Sequence, residues 1–138
     1  MVPRVGHHRH VIEAAAAPAT IGPYSQGIVA GGLLFCSGQL GLDPETGELV
    51  EGGAAEQATA CLRNLAEVCR AAGGRLEDAV RLTVYLADLA GDATDVNDVY
   101  ASFFSEVAAE LPARAAVGVA ALPLGARVEI DAVVALPG

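Results

Sequence analysis

Near the end of the chain, the stretch RVEIDA alternates charged and apolar residues, and this pattern constrains the fold more than any other. Successive side chains of a β-strand point to opposite faces of its sheet, so Arg127, Glu129 and Asp131 share one face. Val128 and Ile130 share the other face. Helices cover the apolar face of such a sheet, while the charged face meets solvent or a second interface. The pattern therefore predicts two layers, a sheet and helices.

The rest of the chain supplies the other strands and the helices in an α+β order. Apolar residues recurring at intervals of three and four predict two amphipathic helices, and alternation predicts strands. The predicted elements are, in chain order, a hairpin over 25–40 that turns at Gly31 and Gly32, a helix over 54–72, a strand over 81–89, a helix over about 92–111, and a second hairpin over 113–135. Both helices are free to cover one face of a single sheet.

The first ten residues, MVPRVGHHRH, contain all three histidines of the chain. Histidine-rich tracts often bind metals, but no cluster of cysteine, histidine or carboxylate residues elsewhere in the sequence completes a site. We therefore predict no metal site and assign no function to His7, His8 and His10. A length of 138 residues suits one domain. The prediction is a flexible leader over 1–10 and a single domain over 11–138.

The charge balance restricts the possible partners. Seventeen acidic residues against eight basic ones give a net charge of -9 at pH 7, which opposes binding to nucleic acid and to anionic membranes. The three cysteines have no paired spacing, which is typical of a reducing compartment. The N-terminus also lacks the apolar core of a signal peptide. We expect a cytoplasmic protein without nucleic-acid or membrane partners.

The apolar composition predicts an oligomer. Hydrophobic residues make up 53% of the chain and aromatic residues only 4%, so the core consists mainly of alanine, valine and leucine. The predicted strands carry more small apolar residues than one helical layer covers. Surplus apolar sheet surface favours contacts between subunits.

Arg114 is the only charged residue in the run LPARAAVGVAALP. Removing a charge from water costs several kcal/mol unless an anion meets it. That anion comes either from elsewhere in the fold, with Glu129 and Asp131 as candidates, or from a ligand.

Four separated stretches resemble the RidA/YjgF family of reactive-intermediate deaminases. They are APATIGPYSQG (17–27), SGQLGLDPETGELV (37–50), VNDVYASFF (96–104) and LPARAAVGVAALPLGARVEIDAVVA (111–135). The resemblance covers about residues 11–136. It implies a chorismate-mutase-like α+β fold, with a mixed six-stranded sheet, two helices on one face, and a homotrimer whose sheets form a barrel. It also implies active sites between subunits and cofactor-free hydrolysis of 2-imino acids, or their enamine tautomers, to 2-oxo acids and ammonia.

The resemblance implies roles for individual residues as well. The carboxylate-binding arginine of the family falls on Arg114, and its water-handling glutamate falls on Glu129. The substrate-binding positions fall on Tyr24, Ser37, Gly38, Asn97 and Ala116. Many relatives read PARSC or PARST where this chain reads PARAA, so alanine replaces their cysteine or threonine. Substrate preference is the property that this difference affects.

These residue types suit the implied reaction. A guanidinium presents parallel N–H donors that match both oxygens of a carboxylate, so Arg114 is suited to hold a 2-imino acid. A carboxylate such as Glu129 holds and deprotonates the attacking water. Backbone N–H groups near Gly38 are available to the substrate because glycine allows a close approach.

Two other functions are compatible with the resemblance. An endoribonuclease is opposed by the net charge of -9 and by the scarcity of aromatic residues on which bases would stack. A non-catalytic trimer that binds small molecules, or acts as a chaperone, would use the same cleft. A rate of imine hydrolysis above background distinguishes the enzyme from the binding protein.

Overall fold

In the computed structural model, which describes residues 8–108 and 110–138, six strands form one mixed sheet. The strands are β1 (His10–Ile12), β2 (Gly27–Ala30), β3 (Leu33–Leu40), β4 (Ala79–Leu86), β5 (Ala113–Gly118) and β6 (Val128–Ala135). Their order across the sheet is β1-β2-β3-β6-β4-β5, and only the pair of β4 and β5 is parallel. The mixed six-stranded sheet expected from the resemblance is confirmed. His7 and the rest of residues 1–7, predicted as leader, lie outside the described residues.

The predicted first hairpin is confirmed, and its turn explains the two consecutive glycines. Strands β2 and β3 pair antiparallel, with Ala30 opposite Leu33. Gly31 has φ 59° and Gly32 has φ 77°, and two consecutive positive φ angles suit a two-residue hairpin turn.

Two helices, α1 (Ala54–Ala71) and α2 (Leu89–Val107), cover one face of the sheet. The alternation along β6 decides which face, because Val128 and Ile130 are fully buried while Glu129 and Asp131 on the other face are only partly buried. Helix α1 ends just before Gly73, which has φ 79° and provides the left-handed conformation common after a helix.

The prediction of a second hairpin at the end of the chain is wrong. Strand β6 pairs with β3 and β4, while β5 pairs only with β4, on the opposite side of β4 from β6. Helix α2 carries the chain from β4 over to β5, and such a crossover makes the two strands parallel. The buried apolar face of β6 suits a central strand, whereas the largely exposed β5 lies at the sheet edge.

The second helix begins and ends earlier than predicted. It starts at Leu89 rather than near Asp92, because the Asp88 carboxylate accepts the Gly91 N–H at 3.0 Å and so caps the first turn. It ends at Val107, before Leu111.

Polar side chains of the two helices fix the strand ends that lie near the predicted site. The Asn64 amide donates to the carbonyls of Leu40 and Leu42 at 3.1 and 3.0 Å. The Gln57 carbonyl accepts the backbone N–H of Arg127 at 2.9 Å, and the Arg127 guanidinium makes two hydrogen bonds to the buried Asp92 carboxylate, at 3.0 and 2.8 Å. The end of β3 and the beginning of β6 are therefore held at fixed positions beneath the helices.

The three cysteines, Cys36, Cys61 and Cys69, are buried and free of disulfides. Burial raises the pKa of the Cys61 thiol, so this side chain stays protonated and packs as a small apolar group. Of the helices within the described ranges, none combines the length and the apolar character needed to cross a membrane.

Candidate active site

Arg114 lies on the edge strand β5, with its side chain against helix α2. Its Nη1 donates to the side-chain carbonyl of Asn97 at 2.6 Å, and its Cζ lies 4.9 Å from the ring centroid of Tyr100. Across residues 8–108 and 110–138, no carboxylate lies within 4.0 Å of the guanidinium nitrogens. The ion pair with Glu129 or Asp131, one of the two alternatives for this arginine, is therefore not formed within the chain.

Tyr100 contacts Arg114 together with Asn97, although the sequence pattern did not indicate a role for Tyr100 in the site. Its position in an apolar helical repeat is typical of a packing residue, and the side chain is indeed 6% exposed. Its ring nevertheless supports the Arg114 guanidinium, in the face-on arrangement of a cation–π contact. Burial raises the pKa of Tyr100, while the nearby charge of Arg114 opposes that rise. The spacing of three between Asn97 and Tyr100, which places both on one side of α2, is the signal that links them.

Glu129 lies on the central strand β6, on the face of the sheet opposite to the helices. Its neighbours across the strands are Leu40 on β3 and Tyr85 on β4. The carboxylate packs directly over Gly38, because a Cβ added at that glycine would lie only 2.0 Å from the Glu129 Oε2. The absence of a side chain at Gly38 therefore makes room for the carboxylate in this position. Burial, and then the nearby Asp131 carboxylate, raises the pKa of Glu129 above its ordinary value.

Asp131 shares this face of β6 and is already engaged. The hydroxyl of Tyr85 donates to its Oδ2 at 2.9 Å. This hydrogen bond raises the pKa of Tyr85, so that the hydroxyl stays protonated and remains a donor.

Tyr24 lies close to Ser37 and Gly38, which are in the second half of β3. Tyr24 and Gly38 line one small cavity of about 20 Å³, together with Ile21. The hydroxyl of Tyr24 accepts the Ile21 N–H at 3.3 Å, and the Ser37 hydroxyl donates to the carbonyl of Ser25 at 2.5 Å. Since Glu129 packs on Gly38, these residues form one group with the glutamate.

Ala116 belongs with Arg114 instead. It lies two residues after the arginine on β5, so the two side chains share a face, and it is exposed.

The residues around Arg114 and the residues around Glu129 lie apart within one chain. Arg114 pairs with Leu82, which pairs in turn with Ala132, three residues from Glu129. At 3.3 Å per residue and 4.8 Å per strand, the two α-carbons are separated by about 10 Å along the strands and about 10 Å across them. Their side chains also point to opposite faces. A single chain therefore does not bring Arg114 and Glu129 to the same small molecule.

The face that carries Glu129 is also partly apolar. Phe35 is 45% exposed and Val117 is 39% exposed, and both lie on this face by the alternation of their strands. Within the described ranges, no group of three or more histidine, cysteine or acidic side chains is placed to hold a metal ion.

Comparison with known proteins extends over nearly the whole chain. Residues 14–136 match the family model described as Endoribonuclease L-PSP. The chain is 50% identical over 125 residues to the 2-iminobutanoate/2-iminopropanoate deaminase of Bos taurus, in an alignment that covers 91% of this chain and 88% of that protein.

Crystal structures of similar proteins have the same fold as this chain. RidA from the Antarctic bacterium Psychrobacter sp. superposes with a TM-score of 0.85 at 43% identity, covering 92% of this chain and 99% of that one. E. coli TdcF with bound serine superposes with a TM-score of 0.87 at 38% identity, covering 93% and 99% of the two chains. Because the sequence match and the superpositions both span almost every described element, the chain belongs to the RidA/YjgF family.

Proposed function

We propose that the protein is a hydrolytic deaminase that converts reactive 2-imino acids, or their enamine tautomers, to 2-oxo acids and ammonia. The observation that carries the proposal is an arginine held in place by neutral groups, Asn97 and Tyr100, without a carboxylate partner among the described residues. Its unneutralised charge suits an anionic ligand. The 50% identity to a 2-iminobutanoate/2-iminopropanoate deaminase supports the reaction class.

Arg114 binds the substrate carboxylate in this proposal. Asn97 occupies one N–H of Nη1 and the Tyr100 ring covers one side of the guanidinium plane. The other N–H groups of Arg114 have no hydrogen-bond partner among residues 8–108 and 110–138. They can therefore donate two parallel hydrogen bonds, which fix both the position and the orientation of a carboxylate. Every 2-imino acid presents this carboxylate, so side-chain variation is tolerated.

Glu129 activates the water. A carboxylate with a raised pKa is a stronger base than an ordinary one, and proton transfer by a positioned base typically contributes 10²- to 10⁴-fold. The water oxygen forms a bond to the carbon of the protonated imine as Glu129 takes one water proton, which gives a neutral amino alcohol. Glu129 then passes that proton to the amino nitrogen. As the adduct collapses, Glu129 takes the hydroxyl proton, the C=O bond forms and the C–N bond breaks, releasing ammonia.

The active unit in this proposal is a homotrimer with a cleft shared between subunits. Two observations support it: Phe35 and Val117 leave apolar surface exposed on the face that carries Glu129, and Arg114 points to the other face of the same sheet. One subunit then supplies Arg114 and the next supplies Glu129. Tyr24, Ser37 and Gly38 accompany the glutamate as substrate-binding residues, and Asn97 and Ala116 accompany the arginine.

The reaction requires no metal or organic cofactor, because an iminium carbon is already electrophilic and only water delivery and proton transfer remain. A nucleic-acid substrate is disfavoured by the net charge of -9, although the matching family model is described as Endoribonuclease L-PSP. Three reduced cysteines suit a cytoplasmic location.

The test is the hydrolysis of 2-imino acids generated in situ by an amino-acid oxidase, with the disappearance of each imine followed by absorbance. The protein is expected to accelerate the loss of short 2-imino acids after dialysis against a chelator. An Arg114→Ala variant that folds as well as the parent should give the background rate. A parent protein that gives no rate above background would leave only a binding role.

Mixing two inactive variants tests the shared cleft. In trimers reassembled from equal amounts of Arg114→Ala and Glu129→Gln chains, about one quarter of the sites combine an intact arginine with an intact glutamate. Activity should therefore return to about one quarter of the parent value. Sedimentation as a monomer at micromolar concentration, or mixtures that stay inactive, would contradict the shared site.

A further inference from the structure

Tyr85 makes an unexpected connection on the sheet face that carries Glu129. It lies directly opposite Glu129 in the pairing of β4 and β6. Its hydroxyl nevertheless donates to Asp131, two residues farther along β6, at 2.9 Å. The hydrogen bond holds the Asp131 carboxylate in a fixed position beside Glu129.

The surroundings of Glu129 leave Asp131 as the charge that acts on it most directly. Strand β3 contributes the uncharged Gly38 against the carboxylate. Arg127 lies immediately before β6, but its guanidinium is paired with Asp92 of α2.

From α1, the thiol of Cys61 has its pKa raised by burial and further by the charge of Glu129, so it remains neutral. Within residues 8–108 and 110–138, no cation forms an ion pair with Glu129. Within a single chain, Glu129 therefore faces one neighbouring charge, and that charge is negative. In the proposed trimer, Arg114 of the neighbouring subunit lies across the same cleft in the parent and in every variant compared below, so it does not contribute to the differences between them.

We propose that Tyr85 and Asp131 form a positioning pair that controls how readily Glu129 takes up a proton, an inference that rests on the proposed role of Glu129 as the base. Two residues along a strand are separated by about 7 Å, close enough for like charges in a half-buried site to repel. The repulsion makes the protonated form of Glu129 more favourable. Tyr85 keeps the repelling charge at a constant distance, and neither residue touches the substrate.

The ionisation of the three side chains is consistent with this arrangement. The pKa of Glu129 is raised first by burial and second by Asp131. The pKa of Tyr85 is raised chiefly by its hydrogen bond to Asp131, so Tyr85 retains the proton that it donates.

The test compares the full-length assembled parent with Asp131→Asn, Tyr85→Phe and the double variant. Two readouts are measured: the pH dependence of kcat, and the titration of the Glu129 carboxyl carbon by NMR. In Asp131→Asn the repelling charge is gone, so the acid limb and the Glu129 titration should both move to lower pH. The plateau of kcat should fall by less than about tenfold, because a weaker base remains in place.

Tyr85→Phe should behave differently, since it keeps the charge of Asp131 and removes only the hydrogen bond. Its Glu129 titration should move to higher pH, because the Asp131 carboxylate loses a donor that partly compensates its negative charge. The double variant should titrate like Asp131→Asn, because Tyr85 acts only through Asp131. Glu106→Gln is the matched control: it removes one negative charge from an exposed position on α2, across the sheet, and should not move the titration.

Three results would overturn the inference. They are an unmoved Glu129 titration in Asp131→Asn, a titration that does not move to higher pH in Tyr85→Phe, and a loss of thermal stability without any change in titration. Asp131→Ser replaces the asparagine variant if that variant does not fold. Should Glu129 titrate as expected in a protein that hydrolyses no imine, the positioning pair would stand and the proposed function would fail.

Discussion

Arg114 and Glu129 occupy contrasting parts of one sheet. Arg114 is exposed on the edge strand, where an amide and an aromatic ring hold it without neutralising it. Glu129 is half-buried on a central strand, between a glycine and a second carboxylate that disfavours its charge. The surroundings thus leave the cation ready for an anion and the carboxylate ready for a proton. These are the separate requirements of binding and of proton transfer.

The contrast predicts that variants of the two regions will have different kinetic consequences. Changes near Glu129 should lower kcat and alter its pH dependence, whereas changes near Arg114 should weaken binding of the substrate and of any 2-oxo acid product. If changes near Glu129 affected only binding, or changes near Arg114 affected only kcat, the proposed role of that region would be wrong.

Among the conservative substitutions, Glu129→Gln should have the largest effect. Glutamine keeps the shape and the hydrogen-bonding reach but cannot take a proton, so kcat should fall by about 10² to 10⁴. Binding of a 2-oxo acid, measured by calorimetry, should persist because Arg114 is intact. Full retention of kcat would mean that hydrolysis needs no protein base and that the cleft acts by positioning alone.

Arg114→Lys should have the next largest effect. Lysine keeps the charge but loses the parallel pair of donors and the flat face against Tyr100. A hydrogen bond to a charged group is worth about 1.5 to 3 kcal/mol, which corresponds to a loss of roughly ten- to a hundredfold in kcat/KM. Unchanged kinetics in the lysine variant would mean that Arg114 has a structural role and does not bind the substrate.

Much of this contrast was predictable from local sequence. The alternation in RVEIDA places Glu129 and Asp131 on one face, and the isolated charge of Arg114 predicts an anionic partner, either from the fold or from a ligand. Both inferences need only the period of a strand and the cost of desolvating a charge.

The pairing of distant segments was not predictable in the same way. Strand β6 lies between β3 and β4, although β5 precedes it in sequence. The alternating buried face of β6 suits this central position, whereas the largely exposed β5 lies at the edge. The contacts of Tyr100 with Arg114 and of Tyr85 with Asp131 follow from that order. They join residues 14 and 46 positions apart, for which the helical and strand periods give no information.

Gly38→Ala tests the Glu129 side of the comparison with a smaller change. The new Cβ would occupy the position of the Glu129 carboxylate, which would have to rotate away. We expect kcat to fall roughly tenfold, because the base is displaced rather than removed. The melting temperature should change little, since the displaced group is the flexible end of a side chain.

Gly53→Ala is the matched control for this change. A Cβ at that position would have only Arg127, at 3.8 Å, as a neighbour, and kcat should be unaffected. Equal losses in both variants would attribute the effect to the backbone rather than to the carboxylate.

The smallest expected effect is that of Asn97→Ala, which tests whether Arg114 must remain unneutralised. Alanine removes one exposed hydrogen bond to the guanidinium, so KM should rise about three- to tenfold while kcat stays near the parent value. Asn97→Asp has nearly the same shape but would place a carboxylate against Arg114, in competition with that of the substrate. The aspartate variant should therefore raise KM more than the alanine variant, and it should weaken inhibition by a 2-oxo acid in parallel. If aspartate is tolerated as well as alanine, the free charge of Arg114 is not what binds the substrate.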